Sequence, residues 1–151
     1  GSEMCIRDRD LVETVLPYRP LFIKPNKDEL EVMFNTTVKS DEDVIKYGKE
    51  ILKKGAQSVI ISLGGDGAIY VDQHQSIKAV NPQGHVVNTV GSGDSTVAGM
   101  VAGLSMGLNI DEAFQQAVAS GTATAFSEDL ATRDAIENIK SQVTISVLDG
   151  E

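Results

Sequence analysis

Ser58-Val59-Ile60-Ile61-Ser62-Leu63 is the segment that most constrains the fold. It is apolar and β-branched in its middle, and it runs straight into Gly64-Gly65-Asp66-Gly67. A strand with one wet face alternates apolar and polar residues. An unbroken apolar run belongs to a strand covered on both faces, as in the centre of a parallel sheet. Such a sheet needs helices on its faces, and the flanking sequence supplies them. Asp41 to Lys54 carries Val44, Tyr47, Ile51 and Leu52 on one face, with Gly55 just past its end. Ser40, followed three residues later by Asp43, predicts the cap that opens this helix.

The same alternation continues along the chain. Leu11–Leu16 reads as the end of a helix, stopped by Pro17 and Pro20. Leu21-Phe22-Ile23 reads as a short strand and Asn26–Phe34 as a short helix. Ala68–Asp72 follows the glycines, a turn at Gln73–Gln75 precedes a strand at Ser76–Val80, and Val86-Val87 leads into Gly91-Ser92-Gly93. Helices are predicted from about Asp94 to Met106, from Asp111 to about Phe126 and over Ala131–Lys140, before a last strand at Val143–Leu148. Strands alternating with helices define an α/β layered fold with a mainly parallel sheet flanked by helices.

At 151 residues the chain is one ordinary domain, long enough to bury a real core. Residues 1–10 stand apart. Gly1-Ser2 resembles a cloning scar, and the next eight residues mix charges without a period. They are set aside as a foreign, disordered tail, leaving residues 11–151 as the folded part. Thirteen Lys and Arg against 22 Asp and Glu give a net charge of −9, so the basic footprint of a nucleic-acid binder is missing. No apolar run is long enough to span a membrane. Cys5 is the single cysteine, which excludes internal disulfides and multi-cysteine zinc sites. Without a secretory signal the expected compartment is the cytoplasm.

Three segments carry candidate chemistry. In Asn88-Thr89-Val90-Gly91-Ser92-Gly93-Asp94-Ser95, small residues lie between an apolar stretch and a helix start. Backbone N–H groups there have no helical partner, and the helix dipole adds partial positive charge. Glycines let an anion approach closely. An aspartate at that mouth can take a proton from a hydroxyl beside a bound phosphate, as phosphoryl transfer requires. The competing reading makes Asp94 a plain N-cap and the glycines a turn. The pattern is neither G-x-G-x-x-G/A nor a P-loop, because no Gly-Lys-Ser/Thr occurs. The second segment is Ser62–Ala68, at the carboxyl end of the best strand, where open α/β sheets bind ligands. Its competing reading is a glycine hairpin. The third is Asn26-x-x-Glu29, whose oxygens suit a hydrated Mg²⁺ and equally suit a helix cap.

Together and in this order, the three segments resemble the ribokinase/phosphofructokinase-B family of sugar kinases, over residues 11–151. The resemblance implies a ribokinase-like fold, of which this would be the carboxy-terminal half, since family members are about twice as long. It implies ATP and Mg²⁺ as cofactors. Asp94 would be the general base, with Gly91, Ser92 and Gly93 as the anion hole. Ser62, Gly64, Gly65, Asp66, Gly67 and Ser120 would bind the nucleotide, and Asn26 and Glu29 the metal. Lys24 could touch a phosphate, but solvation is its plainer role.

Within the family, Asn88–Gly99 is similar to the phosphosugar kinases. Ala119–Phe126 and Glu128–Thr132 are more similar to those acting on D-fructose 1-phosphate at its 6-hydroxyl, giving fructose 1,6-bisphosphate. A tagatose-6-phosphate kinase fragment and a nucleotide-binding fragment without catalysis are the alternatives, with a plain α/β structural domain behind them. Ser92 stands where many relatives carry Ala. Asn88 stands where many carry Asp, so no potassium site is carried over. The partners implied are ATP and a phosphosugar. The amino-terminal half supplies most sugar contacts and the subunit-pairing lid, so this half alone is expected to be nearly inactive, and any homodimer belongs to the full-length protein.

Overall fold

The computed structural model describes residues 3–4, 22–63, 66–80, 92–125 and 133–150. Expectations at Leu11–Leu16, Leu21, Val86-Val87, Phe126 and Ala131 lie outside the described residues. The elements in chain order are β1 (Glu3–Met4), β2 (Phe22–Ile23), α1 (Lys27–Phe34), α2 (Asp41–Lys54), β3 (Ser58–Ser62), β4 (Ala68–Val71) and β5 (Gln75–Val80). They are followed by α3 (Ser92–Ser105), α4 (Ile110–Ala125), α5 (Arg133–Lys140) and β6 (Thr144–Gly150). The chain divides into two compact units. One holds residues 1–64, 68–78 and 147–151, and the other holds 65–67 and 79–146.

In the first unit the strands follow one another across the sheet in chain order. β1 pairs with β2 and β2 with β3 in parallel, whereas β3 and β4 are antiparallel, with Val59 opposite Val71 and Ser62 opposite Ala68. The expectation of a mainly parallel sheet therefore gives way at β4. Only Leu63–Gly67 joins β3 to β4, and a parallel crossover needs a dozen residues or more. Glu3 and Met4, set aside with the tail, pair with Phe22 and Ile23. The free edge of β2 presents unpaired N–H and C=O groups that a short extended segment satisfies.

Val59, Ile60 and Ile61 are all fully buried, so both faces of β3 are covered. Val59 and Ile61 join Ile23, Leu30, Val44 and Ile51 in the core beneath α1 and α2. Both helices end where their sequences say they should. Asn35 (φ 49°) and Gly55 (φ 133°) follow them in positive-φ conformations. Ser40 Oγ accepts from Asp43 N at 3.2 Å, but the Asp43 carboxylate accepts from Lys39 N (3.0 Å), one residue before the cap. Asp41, Glu42 and Asp43 in the first turn, and Lys53 and Lys54 in the last, complement the α2 dipole.

The β4–β5 turn is organised by Asp72. Its Oδ1 accepts from His74 N (2.7 Å) and Gln75 N (2.8 Å), and its Oδ2 accepts from the Tyr70 hydroxyl (2.7 Å). Burial, first, and then the bond to Asp72 and its charge push the Tyr70 phenol well above its ordinary pKa.

In the second unit α4 packs on α3 and α5. Gln115 Nε2 donates to Lys140 O (2.9 Å) and Val143 O (3.2 Å), tying α4 to the end of α5. Phe114 and Met100 are fully buried.

Candidate functional site

Asn26, Glu29 and Ser62 meet at the carboxyl ends of two adjacent parallel strands, β2 and β3. Ser62 N donates to Pro25 O at 3.1 Å, and Asn26 forms a parallel bridge with Ser62. Two candidate segments far apart in sequence are thus hydrogen-bonded neighbours, at the end of the sheet where α/β folds bind ligands.

Both readings of Asn26-x-x-Glu29 are realised in one geometry. Asn26 Oδ1 accepts from Glu29 N (2.7 Å), and Glu29 Oε1 accepts from Asn26 N (3.0 Å), a complete capping box. The cap uses one carboxylate oxygen. The other, Glu29 Oε2, is buried and has no hydrogen-bond partner among the described residues. An orphaned buried oxygen costs roughly 1–3 kcal/mol, and more if charged. A hydrated divalent cation would supply such a partner, so the donor set of Asn26 and Glu29 fits Mg²⁺. Among the described residues no three His, Cys, Asp or Glu side chains cluster to hold a metal by themselves. Lys24 beside this pair is half-buried.

In the glycine segment after β3, Gly64 and Gly65 lie outside the described residues, and Asp66 is exposed. Gly67 is buried with φ +99°, and a Cβ there would fall 1.9 Å from the Ala79 carbonyl oxygen. Gly67 is therefore required by the backbone itself, and the segment joins antiparallel strands as a hairpin does.

Gly91 lies outside the described residues, as do the side chains of Ser92, Gly93 and Asp94. The helix itself begins at Ser92, two residues before the expected start, so Asp94 is its third residue rather than its cap. Ser120 is buried in α4, donates its hydroxyl to Gln116 O (2.9 Å) and faces Gly99 of α3. Its described contacts are those of helix packing.

Sequence reasoning passed over the partner of this seam. Gln116 Nε2 donates to Gly99 O at 3.2 Å. The signal was the spacing of Gly99 and Gly103 on α3 against Ala113 and Ala117 on α4, each one helical turn apart.

The profile of the pfkB family of carbohydrate kinases matches residues 5–136. The chain belongs to that family. It is 43% identical over 130 residues to a Bacillus subtilis 1-phosphofructokinase, covering 86% of this chain and 43% of the relative. It is 40% identical over 134 residues to a Bacillus licheniformis D-tagatose-1-phosphate kinase, covering 88% of this chain and 44% of the relative. Among solved structures, a Staphylococcus aureus protein provisionally named a phosphofructokinase superposes with a TM-score of 0.94 at 77% identity, over 99% of this chain and 49% of that one. This pfkB-family chain thus spans rather under half the length of the curated relatives it matches. Among the described residues, no helix is long and apolar enough to cross a membrane.

Proposed function

We propose that this pfkB-family chain carries the nucleotide and catalytic machinery for ATP-dependent phosphorylation of a ketohexose 1-phosphate. The 6-hydroxyl of D-fructose 1-phosphate is the first candidate acceptor. Asp94 takes the hydroxyl proton as the sugar oxygen attacks the γ-phosphorus of ATP. The bond from that phosphorus to the bridging oxygen breaks, and ADP leaves. Backbone N–H groups at Gly91, Ser92 and Gly93 stabilise the charge on the transferring group. Ser62 and Gly64–Gly67 line the nucleotide, with small residues near Ser120 leaving room for the base. Asn26 and Glu29 hold Mg²⁺, which neutralises charge on the phosphate oxygens when bound.

The observation that carries this reading is the buried, unpartnered Glu29 Oε2, on the capping box of Asn26, which itself bridges to Ser62 at the carboxyl ends of β2 and β3. The names of the two curated relatives favour a 1-phosphorylated sugar over tagatose 6-phosphate. Fructose and tagatose differ only at C4, so either 1-phosphate meets the same chemistry at C6. Positioning both reactants dominates phosphoryl transfer, and the expected turnover of the 151-residue chain alone is far below that of its longer relatives. A nucleotide-binding fragment without catalysis is the second reading, favoured by the chain's share of its relatives' length.

Titration calorimetry with Mg·ATP, paired with product detection on D-fructose 1-phosphate, D-tagatose 1-phosphate and D-tagatose 6-phosphate, separates the readings. Binding with slow turnover on a 1-phosphate supports the kinase. Binding with no product on any sugar supports the second reading. Absence of nucleotide binding refutes both. Asp94→Asn is expected to lower the measured turnover by about 10²–10⁴ with Mg·ATP affinity retained.

A further inference from the structure

Among the described residues the two ends of the sheet are unequal. At one end stands β1, two residues long. At the other stands β6, Thr144–Gly150, seven residues long and last in the strand order after β5. An end strand carries backbone N–H and C=O groups on its outer side that another strand can pair. Proteins blunt such strands by keeping them short or by placing Lys, Pro or a bulge in them. β1 is short. β6 reads Thr-Ile-Ser-Val-Leu-Asp-Gly, with no Lys, Arg or Pro. It also shows apolar side chains on both faces, because successive residues of a strand point to opposite sides. Val147 is 62% exposed on one face and Leu148 39% exposed on the other.

The residues of β6 fit a second copy of the same strand. Of the antiparallel registers about a twofold axis, the one centred on Val147 pairs all seven residues. Thr144 is then opposite Gly150, Ile145 opposite Asp149, Ser146 opposite Leu148 and Val147 opposite Val147. The single charged residue of the strand, Asp149, has an apolar register partner, so no like charges are opposed. The two exposed valines become a directly opposite β-branched pair. The two Leu148 residues become diagonal neighbours, within reach of each other. Moving the axis to Ser146 or Leu148 leaves two residues of each strand unpaired and parts the valines.

We infer that β6 is a self-association edge. Two copies of this chain pair β6 to β6, antiparallel about an axis at Val147, and the sheet of one copy continues into that of the other. The contact needs no nucleotide and is independent of the kinase reading.

Sedimentation velocity of the 151-residue chain over a range of concentrations is expected to show a monomer–dimer equilibrium. Val147 is its own partner, so Val147→Lys sets two like charges directly opposite each other and should weaken the dimer about tenfold. Thr144→Lys meets Gly150 and should weaken it less than about threefold. A covalent readout does not depend on how stable either variant is. In a Cys5→Ser background, Val147→Cys should oxidise to a disulfide-linked dimer. Thr144→Cys should not, because two copies of residue 144 stand about 20 Å apart along the strands. A chain that stays monomeric at every concentration overturns the inference. So does a dimer indifferent to Val147→Lys, which would place the contact on another surface, and so does a Val147→Cys chain that cross-links no better than Thr144→Cys.

Discussion

Glu29 is where the structure makes its sharpest prediction, because its two carboxylate oxygens have separable roles. Replacing it with Gln keeps a carbonyl oxygen to accept from Asn26 N, so the 3.0 Å capping bond survives. Removing the charge relieves a buried oxygen that costs roughly 1–3 kcal/mol when unpaired. Against this, the variant gives up a favourable charge at a helix N-terminus, about 0.3–1 kcal/mol, and places an amide N–H where the oxygen was, at about 1 kcal/mol. These terms nearly cancel, and Glu29→Gln should unfold in urea within about 1 kcal/mol of wild type. Asn26→Ala is the contrast. It deletes the acceptor of Glu29 N (2.7 Å) and should cost about 1 kcal/mol as a lost cap. With Mg·ATP at a hundred times its dissociation constant the wild type should gain about 2.7 kcal/mol. A tenfold loss of affinity in Glu29→Gln halves that gain. The assay is urea unfolding monitored by circular dichroism, with ATP and either Mg²⁺ or EDTA. An Mg²⁺-dependent gain in Glu29→Gln equal to that of wild type would refute the metal role of Oε2. A loss above about 2 kcal/mol without ligand would refute the claim that Oε2 lacks a partner.

Gly67→Ala should destabilise by about 2–5 kcal/mol in the same urea assay. The positive φ costs roughly 1–2 kcal/mol for an L-residue, and moving the Ala79 carbonyl out of a 1.9 Å clash adds about 1–3; a change under 1 kcal/mol would contradict the hairpin geometry. Tyr70 gives a pH prediction. Its phenol is held above its ordinary pKa of 10.0 when folded, so above that pH the unfolded chain releases the proton first and stability falls as pH rises. The slope is about 1.4 kcal/mol per pH unit, and Tyr70→Phe should remove that part of the alkaline loss; parallel pH profiles for the two proteins would show the phenol to be solvated.

The helices were the most legible part of the sequence. Asp41–Lys54 has both its ends written in local chemistry, Ser40 at one and Gly55 at the other, and the structure begins and ends it there. Strand direction is different. An apolar run such as Val59-Ile60-Ile61 says that both faces are covered, and it is silent on which way the neighbouring strand points. Direction was written in the connection instead, where five residues between Ser62 and Ala68 leave room only for a reversal. The start of α3 was read late for a related reason. Gly93 has poor helix propensity, but its neighbours pack the helix from Thr96 onward, with Thr96, Val97 and Met100 buried. Tertiary contacts then carry the helix back through a glycine that propensity would leave in the turn.

The candidate site shows why composition and spacing alone leave a cap and a metal ligand in balance. Asn-x-x-Glu has the same letters in either role, because each needs oxygens aimed from the first turn of a helix. What separates them is the number of oxygens used. A cap engages one oxygen of the glutamate, and on an exposed helix the second simply faces water. Here α1 follows directly on β2, and Pro25 O accepts from Ser62 N, which draws the first turn of α1 against the end of β3. The second oxygen is buried and has no donor among the described residues. The chain accepts that cost at the end of the sheet where a pfkB-family kinase is expected to meet its nucleotide. A buried, unpartnered oxygen is a property of packing in the folded chain, and no reading of the Asn-x-x-Glu letters by themselves could contain it.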